Sequence, residues 1–218
     1  MIQPRTIAIL GGTGALGSGL AARLGHAGHS VIIGSRDAAR AGECAAQLAA
    51  RCDGKFQGMS YEASARAAEL AILTVPFASQ LVVLGQVKEA LAGKILVDAT
   101  VPLVPPKVAR VQLPEEDSAA VAAQLYLGEE VSVVSAFQNV SAHHLAKIGH
   151  PIDCDVIVTG DKLAARATVI SLIEDCGLKG WHGGPLANSS AAEALTSVLI
   201  FINKHYQSDR AGICITGA

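Results

Sequence analysis

Charged residues are few in this sequence, and their charges nearly cancel. Asp, Glu, Lys and Arg make up 17% of the 218 residues and give a formal net charge of −2, whereas half of the residues are hydrophobic. Such a composition is typical of a chain that folds around a core, and it excludes a disordered one. The weak negative charge also gives no electrostatic reason to expect nucleic acid as a partner.

Long hydrophobic runs are missing as well. No apolar stretch approaches the roughly 20 residues that a membrane span needs, and no signal-like apolar segment follows Met1. We therefore expect a cytoplasmic protein that has no membrane partner.

Patterns that hold metals or form disulfide frameworks are also absent. The five cysteines (Cys44, Cys52, Cys154, Cys176 and Cys214) are an odd number and contain no CxxC pair, which is typical of free thiols in a reducing compartment. There is no HExxH motif, and the adjacent His143 and His144 would point in different directions on a helix. We expect no metal site.

What the sequence does contain is a regular alternation of short aliphatic runs with longer alanine-rich segments. Runs that are apolar throughout predict strands buried on both faces, and such strands form a parallel sheet covered by helices. The predicted strands are 6–10, 30–34, 70–75, 95–100, 131–137 and 154–160. The predicted helices follow the first glycine turn to about 27 and then cover about 37–51, 79–92, 115–127, 141–148 and 188–206.

This order predicts an α/β protein of the doubly wound, mostly parallel Rossmann type. We assign residues 1–180 to the Rossmann domain. We expect residues 181–218 to form a small C-terminal helical segment.

One part of that C-terminal segment is unusually apolar. Within its predicted helix, "VLIFI" (198–202) is hydrophobic around nearly the whole circumference, so the helix needs cover on more than one side. It is either buried in a small C-terminal subdomain, or it faces a second subunit or a ligand pocket. We expect a homodimer that uses this helix.

The sequence "GGTGALG" places Gly12, Gly14 and Gly17 in GxGxxG spacing between the first strand and the first helix. In a dinucleotide-binding βαβ unit the first glycine permits the tight turn, the second lets the backbone approach the pyrophosphate, and the third lets helix and strand pack closely. The backbone N–H groups of Thr13, Gly14, Ala15 and Leu16 would then point at the phosphates. The alternative is that the glycines serve only the geometry of the turn and bind no phosphate.

The end of the second strand indicates which dinucleotide is bound. An acid at this point holds the ribose 2′-hydroxyl of NAD, but here the strand runs into Gly34, Ser35 and Arg36. A hydroxyl and a planar guanidinium suit a 2′-phosphate, and Arg40 would share a helix face with Arg36. The pattern favours NADP. The alternative is that both arginines are ordinary solvated residues.

Several longer segments resemble one known family. The stretch "GGTGALGSGLAARLGHAGHSVIIGSR", followed in order by "AILTVPF", "VVSAFQNVSAHHL", "VTGD" and "GGPLANSSAAEALTSVLIFIN", is similar to the F420-dependent NADP oxidoreductases, also called NADPH-dependent F420 reductases. The resemblance covers nearly the whole chain. It implies hydride transfer between the nicotinamide of NADP(H) and the deazaflavin coenzyme F420.

The resemblance also implies roles for individual residues. Thr13 to Leu16 match the contacts with the pyrophosphate, and Ser35, Arg36 and Arg40 match those with the 2′-phosphate. The residues that match the path to the nicotinamide are Thr74 at the strand end, Val75, Ser79, Val101 and Ala142. Those on the deazaflavin side are Gln138, Asn139 and Ala211, the last in "RAGICIT", which matches a segment that closes over the deazaflavin.

Two residues depart from the archaeal pattern of the family. Gln138 stands where archaeal members have His, and Ala211 where they have a larger aliphatic residue. Both departures lie on the deazaflavin side and leave two other hypotheses open. One is an NADPH-dependent reductase of an imine, a flavin or a ferric chelate, and the other is a non-catalytic NADP sensor that binds a partner through the C-terminal helix.

Hydride transfer explains why we assign no catalytic residue. The two cofactors carry the reactivity, so neither a nucleophile nor a metal is required. The protein must hold the two reacting carbons about 3–3.5 Å apart and exclude water. Gln138 or Asn139 would hydrogen-bond the deazaflavin carbonyls or the nicotinamide amide, or else cap the helix or turn that follows.

Overall fold

The fold is built on one eight-stranded sheet. The computed structural model describes residues 2–217, and its sheet has the strand order β3-β2-β1-β4-β5-β6-β7-β8. The neighbouring strands are parallel except for β6 and β7, which are antiparallel. The strands are β1 Thr6–Leu10, β2 Ser30–Ser35, β3 Lys55–Ser60, β4 Leu70–Leu73, β5 Ile95–Asp98, β6 Ser132–Ser135, β7 Asp155–Thr159 and β8 Lys179–Gly184.

Eight α-helices within the described residues cover the two faces of this sheet. They are α1 Ala15–His26, α2 Ala38–Arg51, α3 Tyr61–Ala67, α4 Gln80–Val87, α5 Ala119–Leu127, α6 Ala142–Leu145, α7 Leu163–Asp175 and α8 Ser189–Tyr206. Short 3₁₀ turns precede α4 and α8 and follow α4. Three helices begin where a polar side chain accepts hydrogen bonds from the first turn, namely Asp37 for α2, Ser60 for α3 and Ser118 for α5.

The alternation of side chains along β1 shows why both faces of the sheet are buried. Ile7 and Ile9 pack with α1, α2 and α7, whereas Ala8 and Leu10 pack with α3, α4 and α5. All four side chains are fully buried. A strand in this position must be apolar at every residue, which is the pattern that predicted it.

The predicted α/β class and mostly parallel Rossmann sheet are confirmed, and so are the six predicted strands. The prediction missed β3 and β8, and it missed the helices α3 and α7. It also made two helices too long. α5 begins at Ala119 rather than near 115, and α6 ends at Leu145 rather than near 148. The predicted division after residue 180 falls inside β8, so the sheet continues past it.

The reversed direction of β7 determines what gathers at one edge of the sheet. The carboxyl ends of β1, β2, β4, β5 and β6 share this edge because these strands are parallel. Since β7 is antiparallel to β6, its amino end at Asp155 lies at the same edge. We call this the carboxyl edge; ligands of open α/β sheets bind there.

The chain returns to the carboxyl edge after α8. Residues 207–217, the C-terminal segment, form neither helix nor strand and lie beside the start of β7. The backbone N–H of Asp155 donates to the carbonyl of Ile213 at 2.7 Å, and the N–H of Ala211 donates to Oδ1 of Asn203 at 2.9 Å. These contacts fix the segment next to the end of β6.

No helix among residues 2–217 is both long enough and apolar enough to cross a membrane. No group of three or more His, Cys, Asp or Glu side chains in the same range is placed to hold a metal ion.

Candidate functional site

The glycine turn between β1 and α1 leaves the start of the helix open. Gly14 is the N-cap of α1, and its N–H donates to the carbonyl of Gly11 at 2.9 Å. In the described part of the chain, no side chain caps this helix, and Gly14 and Ala15 are exposed. The N–H groups of the first turn, including those of Ala15 and Leu16, therefore remain available to an anion.

Three glycines of this turn have steric reasons to be glycine. Gly11 has φ of +89°, a conformation that glycine adopts most readily. A Cβ atom on Gly12 would lie 2.9 Å from the carbonyl oxygen of Ile9, so the tight turn needs glycine at Gly12, as expected, and also at Gly11. A Cβ atom on Gly17 would lie 2.7 Å from the carbonyl oxygen of Gly11, from Cα of Gly12 and from Oγ1 of Thr74, so Gly17 allows the close packing expected of it.

The end of β2 presents the residues that were expected at the 2′-phosphate. Ser35 is nearly buried, and its Oγ accepts a hydrogen bond from the N–H of Asp37 at 3.3 Å. Arg36 and Arg40 are exposed, and neither forms an ion pair with any residue of the described range. Both guanidinium groups are therefore free to meet an anion beside Ser35.

An acid does lie close to this point, and the sequence analysis did not consider it. Asp37 follows Arg36, but Oδ1 of its carboxylate accepts from the N–H groups of Ala39 at 2.9 Å and Arg40 at 3.2 Å. The carboxylate is thus engaged as the cap of α2. Its role is to begin that helix, which leaves Arg36 as the charged side chain at the strand end.

The ends of β4 and β5 line the middle of the carboxyl edge. The hydroxyl of Thr74 donates to the carbonyl of Leu10 at 3.1 Å and so holds the end of β4 against the last residue before the glycine turn. Val75 is buried against Gly11, and Ser79 lies directly before α4 without capping it. Val101 is half-buried in the loop after β5. Thr74 and Val75 therefore contact the turn itself.

A strained residue follows β6. Phe137 is buried and has φ of +75°, a left-handed conformation that is rare for a bulky side chain. Such outliers persist only where the surrounding structure holds them, and they cluster at functional sites. The strain fixes the direction in which Gln138 and Asn139 leave the strand.

Gln138 and Asn139 are both buried and use their amide nitrogens inside the protein. Nε2 of Gln138 donates to the carbonyl of Asp98 and to Oγ of Ser135, both at 2.8 Å. Nδ2 of Asn139 donates to the carbonyl of Ala192 in α8 at 2.8 Å. Neither side chain caps α6. The buried Oε1 of Gln138 has no hydrogen-bond partner in the described residues.

Ala142 and Ala211 come from opposite ends of the sequence to the same edge. Ala142 is the first residue of α6, and Ala211 lies in the C-terminal segment. A cavity of about 580 Å³ separates that segment from residues 139–154, and both Asn139 and Ala211 line it. We call it the β6–β7 cavity. The structure therefore brings together two of the three residues expected on the deazaflavin side, and Gln138 lies next to them.

Two buried acids near this edge were not anticipated. Asp98, at the end of β5, is fully buried and accepts from Nε2 of Gln80 and from the N–H of Thr100. Glu193 in α8 accepts from the first two N–H groups of α5, at Ala119 (2.7 Å) and Ala120 (3.1 Å). Burial raises the pKa of Asp98, and it raises the pKa of Glu193 to about 8 despite the two N–H donors.

Arg23 was not anticipated either. This nearly buried side chain of α1 donates hydrogen bonds only to backbone carbonyls, four of which belong to residues 144–150. It thereby ties the helix of the glycine turn to one wall of the β6–β7 cavity. The sequence contains one weak sign that Arg23 has a structural role, because it is the single arginine of α1 and lies between Leu20 and Leu24.

Comparisons with known proteins extend over the whole chain. The family model described as "NADP oxidoreductase coenzyme F420-dependent" matches residues 6–102. The F420-dependent NADP reductase of Methanothermobacter marburgensis is 41% identical over 218 residues, covering 96% of this chain and 97% of that protein. The F420-dependent NADP reductase of Methanocaldococcus jannaschii is 38% identical over 219 residues, with 96% and 97% covered.

The same relationship is visible in the backbone. A solved structure of a candidate F420-dependent NADP reductase from Arthrobacter sp. FB24 superposes with a TM-score of 0.82. It is 26% identical in sequence, and the superposition covers 96% of this chain and 98% of that one. The similarity thus includes β7, β8 and α8 as well as the N-terminal residues that the family model matches.

Proposed function

This chain belongs to the family of F420-dependent NADP reductases, and from that premise we propose that it transfers hydride between NADP(H) and coenzyme F420. The observation that carries the proposal is identity of 41% over nearly the full length of a reductase of that name. The carboxyl edge supports it, because a glycine turn, free arginines and a cavity follow one another along this edge.

The turn and the end of β2 would hold the nucleotide. The open N–H groups at Ala15 and Leu16, in the segment from Thr13 to Leu16, suit the pyrophosphate, because the start of a helix favours negative charge. Ser35, Arg36 and Arg40 suit the 2′-phosphate, because both guanidinium groups lack a carboxylate partner in residues 2–217. Together these contacts favour NADP(H) over NAD(H).

The middle of the edge would hold the two rings. When both molecules are bound, they supply the reaction itself, a hydride moving between nicotinamide C4 and deazaflavin C5. Val75, Val101 and Ala142 offer an apolar lining that excludes water. Gln138 and Asn139 border this part of the edge, and hydrogen bonds of their amide nitrogens to Asp98, Ser135 and Ala192 hold them in place.

The test is a direct assay with the purified protein. We expect NADPH to bleach the absorbance of oxidised F420 and NADH to do so far more slowly. Turnover of an imine, a flavin or a ferric chelate without bleaching of F420 would contradict the proposal. So would tight binding of NADPH without turnover of any acceptor, which would indicate a sensor.

A homodimer is part of the same proposal. Val198 and Phe201 of α8 are 44% and 57% exposed. Ser197 hydrogen-bonds the carbonyl of Arg110, so the 101–117 loop adjoins this helix, and the loop carries further exposed apolar side chains at Val104, Val111 and Leu113. Light scattering of Phe201→Glu should show a monomer. Leu163→Glu, at an exposed leucine of α7, should leave the dimer intact.

The predicted location and domain division also stay predictions. All five cysteines are free, which supports a reducing compartment such as the cytoplasm. We propose that the C-terminal unit, which closes the active site, begins after β8, since the sheet extends to Gly184.

A further inference from the structure

The β6–β7 cavity is lined by an excess of basic side chains. His144, Lys147 and His150 come from one wall and Arg210 from the C-terminal segment, whereas Asp153 is the one acid among the lining residues. Pro151, Ile152, Cys154 and Ala211 supply the apolar part of the lining. The part lined by His144, Lys147 and His150, which we call the basic end, is suited to an anion rather than to a ring.

Two of these four basic side chains have no acidic partner in the described residues. Lys147 and His150 have no carboxylate partner among residues 2–217. His144 lies 3.8 Å from Oδ1 of Asp209, and Nε of Arg210 lies at the same distance from that atom. Asp209 is therefore the acidic partner of His144 and Arg210. Lys147 and His150 have no such partner and are available to an anion.

The wall that carries these side chains is held in place. Arg23 donates to the carbonyls of Lys147 at 2.9 Å and His150 at 3.0 Å. A backbone fixed from behind in this way presents both side chains at a defined position. Such preorganisation lowers the entropy cost of binding.

The cavity also has the right position relative to the rings. Asp153 and Cys154, just before β7, line it, and so do Asn139 and Ala211, which are expected next to the deazaflavin. An elongated substrate whose ring lies at Asn139 can therefore extend toward Lys147 and His150 along the same edge.

We propose that the basic end of the β6–β7 cavity binds the anionic side chain of the deazaflavin substrate. Coenzyme F420 carries a phosphodiester and glutamate carboxylates on a chain attached to its ring. Lys147 and His150 would contact these groups, and Arg210 would close over them from the C-terminal segment. The proposal rests on the proposed function and adds the part of the substrate that this cavity recognises.

The test compares F420 with the same deazaflavin lacking the phosphate and glutamates (8-hydroxy-5-deazariboflavin). In the double variant Lys147→Glu/His150→Glu we expect KM for F420 to rise about 10- to 100-fold. KM for the tail-less compound, kcat, and the Kd of NADPH should stay within about twofold. Added salt should raise the KM of the unaltered protein for F420 and should affect the variant much less.

The matched control is Lys162→Glu. Lys162 is exposed and precedes α7. It follows the carboxyl end of β7, so it lies at the opposite edge of the sheet. This variant changes the net charge in the same direction without touching the cavity. An equal rise of KM for F420 in Lys162→Glu, or an equal rise for both deazaflavins in the double variant, would overturn the proposal.

Equilibrium binding separates this inference from the proposed function. The fluorescence of F420 reports binding without NADPH and without turnover. If F420 binds to the unaltered protein at least tenfold more tightly than to the double variant, the anion site stands even if no hydride is transferred. If both proteins bind F420 equally, the anion site is wrong whatever the activity.

Discussion

The guanidinium of Arg23 donates from Nε to the carbonyl oxygen of Leu145 at 3.0 Å and so joins α1 to the end of α6. Burial lowers the pKa of Arg23, and no carboxylate in residues 2–217 balances its charge. The charge is stabilised by carbonyl dipoles alone. The remaining carbonyls belong to Cys176, His144, Lys147 and His150.

Replacing this side chain should be costly. Arg23→Met keeps much of the volume but leaves several buried carbonyls without donors, and we expect the free energy of unfolding to fall by about 3–5 kcal/mol. Chemical denaturation measures the effect. Arg51→Met, at the end of α2, should change stability by less than about 0.5 kcal/mol. An equal effect of the two substitutions would show that the carbonyl contacts contribute little.

Arg36→Ala tests the assignment of the 2′-phosphate. The exposed guanidinium should be replaceable without loss of fold. The Kd of NADPH should rise by about one to two orders of magnitude, because a charged hydrogen bond to phosphate is lost. The Kd of NADH should stay nearly the same. Arg51→Ala is the control, and fluorescence of the reduced nicotinamide measures both constants. Equal affinity of the unaltered protein for NADPH and NADH would contradict the assignment.

Gly17→Ala should disturb the turn as well as the fold. The added Cβ would lie 2.7 Å from three atoms, two of them backbone, so the turn must shift. We expect a loss of about 1–3 kcal/mol in stability together with weaker binding of NADPH and NADH alike. Gly42→Ala is the contrasting variant, because its Cβ meets nothing within 4 Å. There we expect a gain of about 0.5–1 kcal/mol. Unchanged nucleotide binding in Gly17→Ala would count against the phosphate cradle.

Ala211→Trp should separate the two substrates. The indole would enter the β6–β7 cavity beside Asn139, so reduction of F420 should be lost while the Kd of NADPH stays within about threefold. Ile215→Trp adds the same bulk at an exposed position further along the C-terminal segment and should remain active. Assays of F420 reduction together with NADPH titrations distinguish the outcomes. Full activity of Ala211→Trp would mean that this segment does not border the deazaflavin.

Glu193 should make stability depend on pH. Because burial raises its pKa from 4.5 to about 8, the folded protein retains a proton that the unfolded chain has released between these values. The free energy of unfolding should therefore fall as pH rises from about 5 to about 8. In Glu193→Gln the total fall in the free energy of unfolding over this pH range should be smaller by up to a few kcal/mol.

Urea denaturation at about pH 5.5 and about pH 8.5 measures the slope. Glu174→Gln, at an exposed acid of α7, serves as the control. A slope in Glu193→Gln equal to that of the unaltered protein would show that this carboxyl does not carry the titration.

The central strands could be predicted from sequence because they are apolar on both faces, and the two missed strands lie at the edges. In β3, "KFQGMS", no side chain is fully buried, and β8, "KGWHGG", has three glycines and one large apolar residue. An edge strand needs burial on fewer sides, so its residues do not form a continuous hydrophobic run. Hydrogen bonding to β2 and β7 creates these strands.

The nucleotide half of the site could be proposed from the sequence because the residues on which the proposal rests, the glycine spacing and Arg36, are local in sequence. Arg23, Glu193 and the pairing of Asn139 with α8 depend instead on partners more than 50 residues away, and most of these partners are backbone groups. A backbone carbonyl or N–H leaves no trace in the sequence, so the pattern of residues could not reveal these contacts.

The reversal of β7 has a consequence for the order in which the site can be assembled. The ribosome completes the nucleotide half once β1, β2, β4 and β5 have emerged, whereas the β6–β7 cavity also requires Arg210 and Ala211, near the end of translation. Most of the residues proposed to hold the nucleotide precede β6, whereas those proposed to hold the second substrate all follow β5. The two proposed sites are therefore completed in that order during translation.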